Sequence, residues 1–177
     1  MQPTIFVIDP STKPAQIVDA IAVTRNGSPA QMLDLEGIAL DGNGGFWLAS
    51  EGDAGDLYPH AIFHVDAAGE IQEQIAYPDA LQDIARRHAA EGITRVGDRL
   101  WIALQREWDD VPEDHVLLVS YDINSDSWGG VLYPKESAST GWVGMSEISA
   151  FDNYVYLIER DNQFGDRAVT KMITRVA

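Results

Sequence analysis

Leu35-Glu36-Gly37-Ile38-Ala39 returns as Ala90-Glu91-Gly92-Ile93-Thr94, and a third time as Ser146-Glu147-Ile148-Ser149. Glu36 and Glu91 are 55 residues apart and Glu91 and Glu147 are 56 apart, a spacing that belongs to repeat architectures. A second marker keeps the same period. Apolar stretches end in aspartate at Ile5-Phe6-Val7-Ile8-Asp9, Ile62-Phe63-His64-Val65-Asp66 and Leu118-Val119-Ser120-Tyr121-Asp122, with the aspartates spaced by 57 and 56 residues. Two independent markers with one period predict a tandem fold that places one carboxylate per repeat at an equivalent position.

Each repeat reads as a four-stranded antiparallel meander. Glu36–Leu40 is a short apolar strand, and Asp41-Gly42-Asn43-Gly44-Gly45 supplies the residues that tolerate φ > 0 in a hairpin. Phe46–Ser50, Ala61–Val65 and Glu70–Tyr77 follow as strands, with Asp66-Ala67-Ala68-Gly69 as a turn. The second repeat copies this order with Glu91–Val96, Leu100–Leu104, His115–Tyr121 and a strand ending at Tyr133-Pro134. The third supplies Glu147–Phe151, Tyr154–Glu159 and Val169–Val176, while Ile5–Ile8 and Gln16–Val23 fit the last two strands of a preceding unit. One helix is expected at Asp79–His88, with Asp79 as N-cap and Leu81, Ile84 and Ala85 on one face.

Four-stranded units of this length point to an all-β chain of β-propeller-type antiparallel blades with one short helix in an inter-blade loop. The whole chain, 1–177, is then a single partial propeller domain: 1–30 the end of a preceding blade, 31–78 a blade, 89–134 a blade and 143–177 an incomplete blade. About three blades cannot close a ring that typically needs ~4–8. The expectation is a piece of a longer protein, the alternative a homodimer in which a second copy completes the propeller.

The chain of 177 residues is 45% hydrophobic and carries a formal charge of −16, from 28 acidic against 12 basic residues. Nucleic acid and anionic membranes are bound through Lys and Arg patches, so neither is an expected partner. No apolar run reaches the ~20 residues of a membrane span, and no basic segment precedes the apolar residues of a signal peptide. The absence of cysteine excludes disulfides and thiolate metal sites.

In an antiparallel meander the start of the first strand and the end of the second lie at one end of the sheet. Glu36, Glu91 and Glu147 therefore share a rim with Ser50-Glu51, Gln105-Arg106-Glu107 and Glu159-Arg160-Asp161. Converging carboxylates repel one another unless a cation lies between them. A hard cation such as Ca2+ suits flexible oxygen ligands. Alternatively, Arg106 and Arg160, read here as matching positions, neutralise the glutamates or hold an anionic substrate. The plain alternative is that each glutamate only caps backbone amides of the next blade. Trp142 lies just before Glu147 and is a candidate for the mouth of the rim. Trp47, Trp101 and Tyr156 read as core positions, and the four histidines share no metal-ligand spacing. Ser146 is the one serine worth testing as a nucleophile. Asn26-Gly27-Ser28 reads as a turn rather than a glycosylation acceptor.

Leu33-Asp34-Leu35-Glu36-Gly37-Ile38-Ala39 together with Gly44-Gly45-Phe46-Trp47-Leu48-Ala49-Ser50-Glu51-Gly52 resembles the bacterial phytase-like family described as "esterase-like activity of phytase". Glu91-Gly92-Ile93-Thr94, Gln105-Arg106-Glu107-Trp108 and Leu157-Ile158-Glu159-Arg160-Asp161-Asn162 fit the same family. The resemblance implies a β-propeller-like fold, a periplasmic or secreted location, and a phosphoester or ester hydrolase. On that footing the expected function is hydrolysis of a small anionic ester, a phosphate monoester or a related ester, with Ca2+ held by Glu36, Glu91 and Glu147. Arg106, Arg160 and Trp142 would bind the substrate, and Glu51, Glu107 or Glu159 would activate water. The rival readings are an exported propeller that binds a ligand or protein on its acidic rim without turnover, and a lactonase-like metal-dependent propeller.

Overall fold

The computed structural model describes residues 2–53, 57–82, 84–85 and 88–177. The chain is all-β, built of antiparallel sheets in which every strand pairs with its neighbour in sequence. Strands β1 (Thr4–Asp9) and β2 (Gln16–Ala22) form a two-stranded sheet, and β3 (Thr24–Arg25) and β4 (Ser28–Pro29) a minimal hairpin. Asn26 and Gly27 turn that hairpin with φ of 53° and 71°, the pair of positive values that a two-residue turn of this hand requires. The Asn-Gly turn is thus as expected, although the two short strands flanking it are too brief to read in sequence.

The first four-stranded sheet runs β5 (Leu35–Leu40), β6 (Phe46–Ser50), β7 (Ala61–Val65), β8 (Ile71–Ala76). The second runs β9 (Ala90–Val96), β10 (Arg99–Leu104), β11 (His115–Asp122), β12 (Ser127–Pro134). A three-stranded sheet follows: β13 (Val143–Phe151), β14 (Tyr154–Asp161), β15 (Lys171–Val176). The strand order agrees with the antiparallel meanders read from sequence.

The helix is shorter than its sequence suggests. It spans Asp79–Gln82, with the Pro78 carbonyl accepting from Leu81 and Gln82, so Asp79 lies in the first turn rather than at the cap. His88 has a φ of 69°, which a right-handed helix cannot include. Of the remaining expected positions, Asp83, Arg86 and Arg87 lie outside the described residues. Leu81, Ile84 and Ala85 nonetheless pack together on the core as their spacing predicts. No helix among the described residues is long and apolar enough to cross a membrane.

The sheets stack face to face in chain order, and this explains why β6 and β10 read as continuous apolar runs. Side chains alternate faces along a strand, and both faces of these strands are covered. Trp47 and Ala49 enter a core shared with Leu100, Ile102, Leu104 and Tyr121 of the second sheet. Between them, Leu48 turns the other way, into a core with Val23, Phe63 and Val65. Ala103 of β10 faces Met145, Ile148 and Leu157 of the third sheet. Each fully buried Ile, Leu or Phe contributes about 1.5–3 kcal/mol.

The first strands of the sheets come closest. A Cβ on Gly37 would lie 2.8 Å from the Ile93 nitrogen, and one on Gly92 2.6 Å from the Ile148 nitrogen. The glycine in the repeated phrase is therefore demanded by backbone packing: β9 lies against β5 on one side and β13 on the other.

Candidate functional site

Each of these three first strands carries a β-bulge, and the bulges fix the true equivalence of the repeats. In the first sheet Leu35 pairs with Ser50 and Gly37 with Ala49, so Glu36 is the extra residue. In the second, Ala90 pairs with Leu104 and Gly92 with Ala103, leaving Glu91. In the third, Met145 pairs with Glu159 and Glu147 with Ile158, leaving Ser146. The expected equivalence is thereby corrected by one residue. Ser146, not Glu147, stands where Glu36 and Glu91 stand, and Glu147 occupies the place of Gly37 and Gly92. Bulges re-aim a side chain at sheet rims, and the spacing agrees with the corrected set: Glu36, Glu91 and Ser146 are 55 and 55 residues apart, whereas Glu147 stands 56 from Glu91.

The facing strands give a second corrected set. The Glu51 amide donates to the Asp34 carbonyl at 2.7 Å and the Gln105 amide to the Ala89 carbonyl at 2.6 Å, while Arg160 pairs with Gly144. Glu51, Gln105 and Arg160 are therefore the matching residues, and Arg106 does not match Arg160. The rim consists of two short rows. One holds Glu36, Glu91 and Ser146, the other Glu51, Gln105 and Arg160.

Asp34, Glu36 and Glu51 bring one carboxylate oxygen each to within 4.8 Å of one another. Burial, followed by the charge of Asp34, raises the pKa of Glu36. Asp34 was not singled out from sequence, although a signal existed: Leu33 and Leu35 pack on the core, so alternation sends Asp34 and Glu36 to the other side. Glu91 accepts a hydrogen bond from the Gln105 side-chain amide. Burial pushes its carboxyl up to about 7, the charges of Glu36, Glu51 and Glu147 add to the rise, and Arg160 opposes it. Burial also raises Glu147, partly offset by the Ile148 N–H that donates to it at 2.8 Å. The three repeat glutamates thus share one electrostatic neighbourhood, but the group within ligating reach is Asp34, Glu36 and Glu51.

The remaining expected residues are engaged elsewhere. Arg106 donates to Glu107 at 2.8 Å and lies over the Trp142 ring at 4.8 Å. Lys135 reaches Glu107 at 3.5 Å. Burial alone would raise Glu107, but its own backbone amide, Arg106 and Lys135 outweigh it and hold the carboxyl below the usual range. Glu159 is 2% exposed and accepts from the Tyr133 hydroxyl at 2.7 Å, the Glu136 amide at 2.8 Å and the Thr174 hydroxyl at 3.2 Å. It ties the second sheet to the third. Of Glu51, Glu107 and Glu159, only Glu51 belongs to the acidic group. Trp142 also meets the His88 ring in a tilted contact, centroids 5.9 Å apart, and His88 approaches Glu51 at 3.7 Å. A histidine with no ligand spacing in sequence therefore stands at the rim through the fold.

The acidic group itself offers carboxylate oxygens, a chemistry that suits a hard cation such as Ca2+ and not a thiophilic metal. Two buried polar atoms of the same rows, the Ser146 hydroxyl and the Gln105 side-chain carbonyl, have no hydrogen-bond partner among the described residues. Unpartnered buried oxygens beside crowded carboxylates fit a site that receives a cation or a polar ligand.

A family model described as phytase-like, esterase-like activity of phytase, matches residues 2–177. No curated protein and no solved structure matches the chain.

Proposed function

The chain belongs to the phytase-like family, and from that premise we propose that it hydrolyses phosphate monoesters or related esters with the help of a divalent cation at the acidic rim. The observation that carries the reading is the convergence of Asp34, Glu36 and Glu51 beside a half-buried Glu91 with an elevated pKa. Asp34, Glu36 and Glu51 are the residues that would hold Ca2+. When bound, the ion supplies charge neutralisation and polarisation of a phosphoryl or carbonyl oxygen.

Glu91 is the general base. Burial, the largest cause of its raised pKa, acts whether or not an ion neutralises Glu36 and Glu51, so the carboxyl can take a proton from water and return it to a leaving group, the matching of pKa to operating pH that favours proton transfer. Gln105 orients it through the amide hydrogen bond to its carboxylate. Arg160 faces the same carboxyl with the opposite charge and orients an anionic substrate group toward it. Glu107 and Glu159 take structural parts in this scheme, and Trp142 with Arg106 forms the wall of the rim.

The stacked sheets with β9 between β5 and β13 support a partial propeller over 1–177, with the rim at one mouth of its axis. An exported location and closure of the ring by further sheets, from a longer chain or a second copy, belong to the same proposal.

A chromogenic phosphate ester tests the reading. Turnover is expected to require Ca2+ and to fall by about 10²–10⁴ in Glu91→Gln. A rate that survives both chelation and that substitution would overturn it. Binding of Ca2+ without turnover of any ester would instead place the protein among non-enzymatic binders.

A further inference from the structure

The loop between β14 and β15 borders an open depression of about 530 Å3 whose lining includes Arg160, Lys171, Asn162, Gln163 and Phe164. Arg160 and Lys171 are direct cross-strand partners, so their side chains leave the same face of the sheet. Like charges directly opposite one another destabilise an antiparallel pair. Neither cationic head makes an ion pair or a hydrogen bond among the described residues.

The one acid in the lining, Asp161, feels the Lys171 charge but makes no ion pair with either cation. Asp161 follows Arg160 in β14 and so points to the opposite face. Its carboxylate is buried and accepts from the amides of Thr170 at 2.6 Å, Val169 at 2.8 Å and Gln163 at 3.0 Å. Those bonds shape the loop. The result is a pair of adjacent cations with no direct ion pair among the described residues, in a chain of net charge −16, where the surrounding field repels anions and a single cation would be a weak attractor.

We propose that Arg160 and Lys171 form an oxyanion site that takes a doubly charged group such as the phosphate of an organic ester. Two adjacent cations match a dianion better than a carboxylate. Phe164, 84% exposed at the lip of the depression, offers an apolar surface to the organic part. Arg160 is also close enough to Glu91 to act on its charge, so the anion sits beside the rim. That the anion belongs to a substrate rests on the hydrolase reading above; the binding itself does not.

Titration calorimetry with inorganic phosphate at pH 8, on chelator-treated protein, reads the site without turnover. Phosphate is expected to bind at least several-fold more tightly than acetate. Lys171→Ala and Arg160→Ala should each weaken it about tenfold, the scale of a lost charge-assisted hydrogen bond. Lys171→Arg should restore binding. In kinetics Lys171→Ala should raise KM for phenyl phosphate, leave kcat nearly unchanged, and leave KM for phenyl acetate where it was. Absent phosphate binding, or equal binding by Lys171→Ala and the parent, overturns the site. The two readings fail separately. If Glu91→Gln abolishes turnover while Lys171→Ala binds phosphate normally, only the oxyanion site falls. If Lys171→Ala loses the phosphate binding that the parent shows, while the parent turns over no ester with Ca2+ present, only the hydrolase reading falls.

Discussion

The corner of the rim in the first sheet and the corner in the third have the same backbone and opposite chemistry. Both are a bulged first strand facing the end of a second strand. The first fills this frame with Asp34, Glu36 and Glu51, and the third with Gly144, Ser146 and Arg160. The second sheet, with Ala89, Glu91 and Gln105, stands between them in charge as in space. The rim is therefore graded from anionic to cationic across three sheets that share one local backbone frame. The frame fixes where side chains point, and leaves each sheet free to supply a different part of one site.

The sharpest way to break this comparison is at the glycines. Gly92→Ala would press a methyl group against the Ile148 nitrogen at 2.6 Å and the Glu147 Cα at 2.9 Å. Overpacking of this kind costs about 1–3 kcal/mol, which for a chain of this size lowers Tm by roughly 2–4 °C per kcal/mol. At the matching position of the third sheet, Glu147→Ala should cost far less, because that position already carries a side chain. Urea unfolding of both variants checks the pair. Equal losses would mean that the register of the third sheet is not the one described.

Calcium gives the next largest effect. If Asp34, Glu36 and Glu51 hold the ion, saturating Ca2+ at about 100 times Kd adds ~2.7 kcal/mol to the folded state. The resulting rise in Tm should vanish in Glu51→Gln and persist in Arg160→Ala, which sits at the cationic corner. Persistence of the rise in Glu51→Gln would move the ion elsewhere.

Much of this was legible in the chain. Alternation, Asn-Gly and Asp-Gly turns and the recurring aspartates gave the strands, because they record burial and turn geometry directly. Phe46–Ser50 and Ala61–Val65 have the expected bounds. The site was legible only in part. Sequence likeness aligned Glu147 with Glu91 and Arg106 with Arg160, whereas hydrogen-bond register selects Ser146 and Gln105. The even 55-residue spacing of Ile38, Ile93 and Ile148 already aligns Ser146 with Glu91, but a glutamate standing where the other two sheets have glycine draws the likeness one residue off. Glu159 looked like a rim residue for a related reason: it is adjacent to one. A strand's alternation sends Arg160 to the rim and Glu159 between the sheets, where Tyr133 and Thr174 meet it. His88 reached the rim through a loop whose path no local pattern encodes.

The smallest expected effect separates the two glutamates that the sequence made equivalent. Glu91 titrates at about 7 in the folded chain against an ordinary 4.5, so the fold prefers its protonated form. Its contribution to stability is fully present below pH 4.5, declines as pH rises, and is lost above pH 7. Glu91→Gln keeps a neutral group at all pH values. Relative to the parent it should therefore gain a few degrees of Tm at pH 8 and nothing at pH 4. Glu147 is raised by burial, but the Ile148 amide stabilises its anion. Glu147→Gln should show the same sign with a smaller gain. Thermal unfolding of the three proteins at pH 4, 6 and 8 reads both differences. A larger gain in Glu147→Gln would place the crowding of carboxylates at the third sheet and reverse the gradient across the rim.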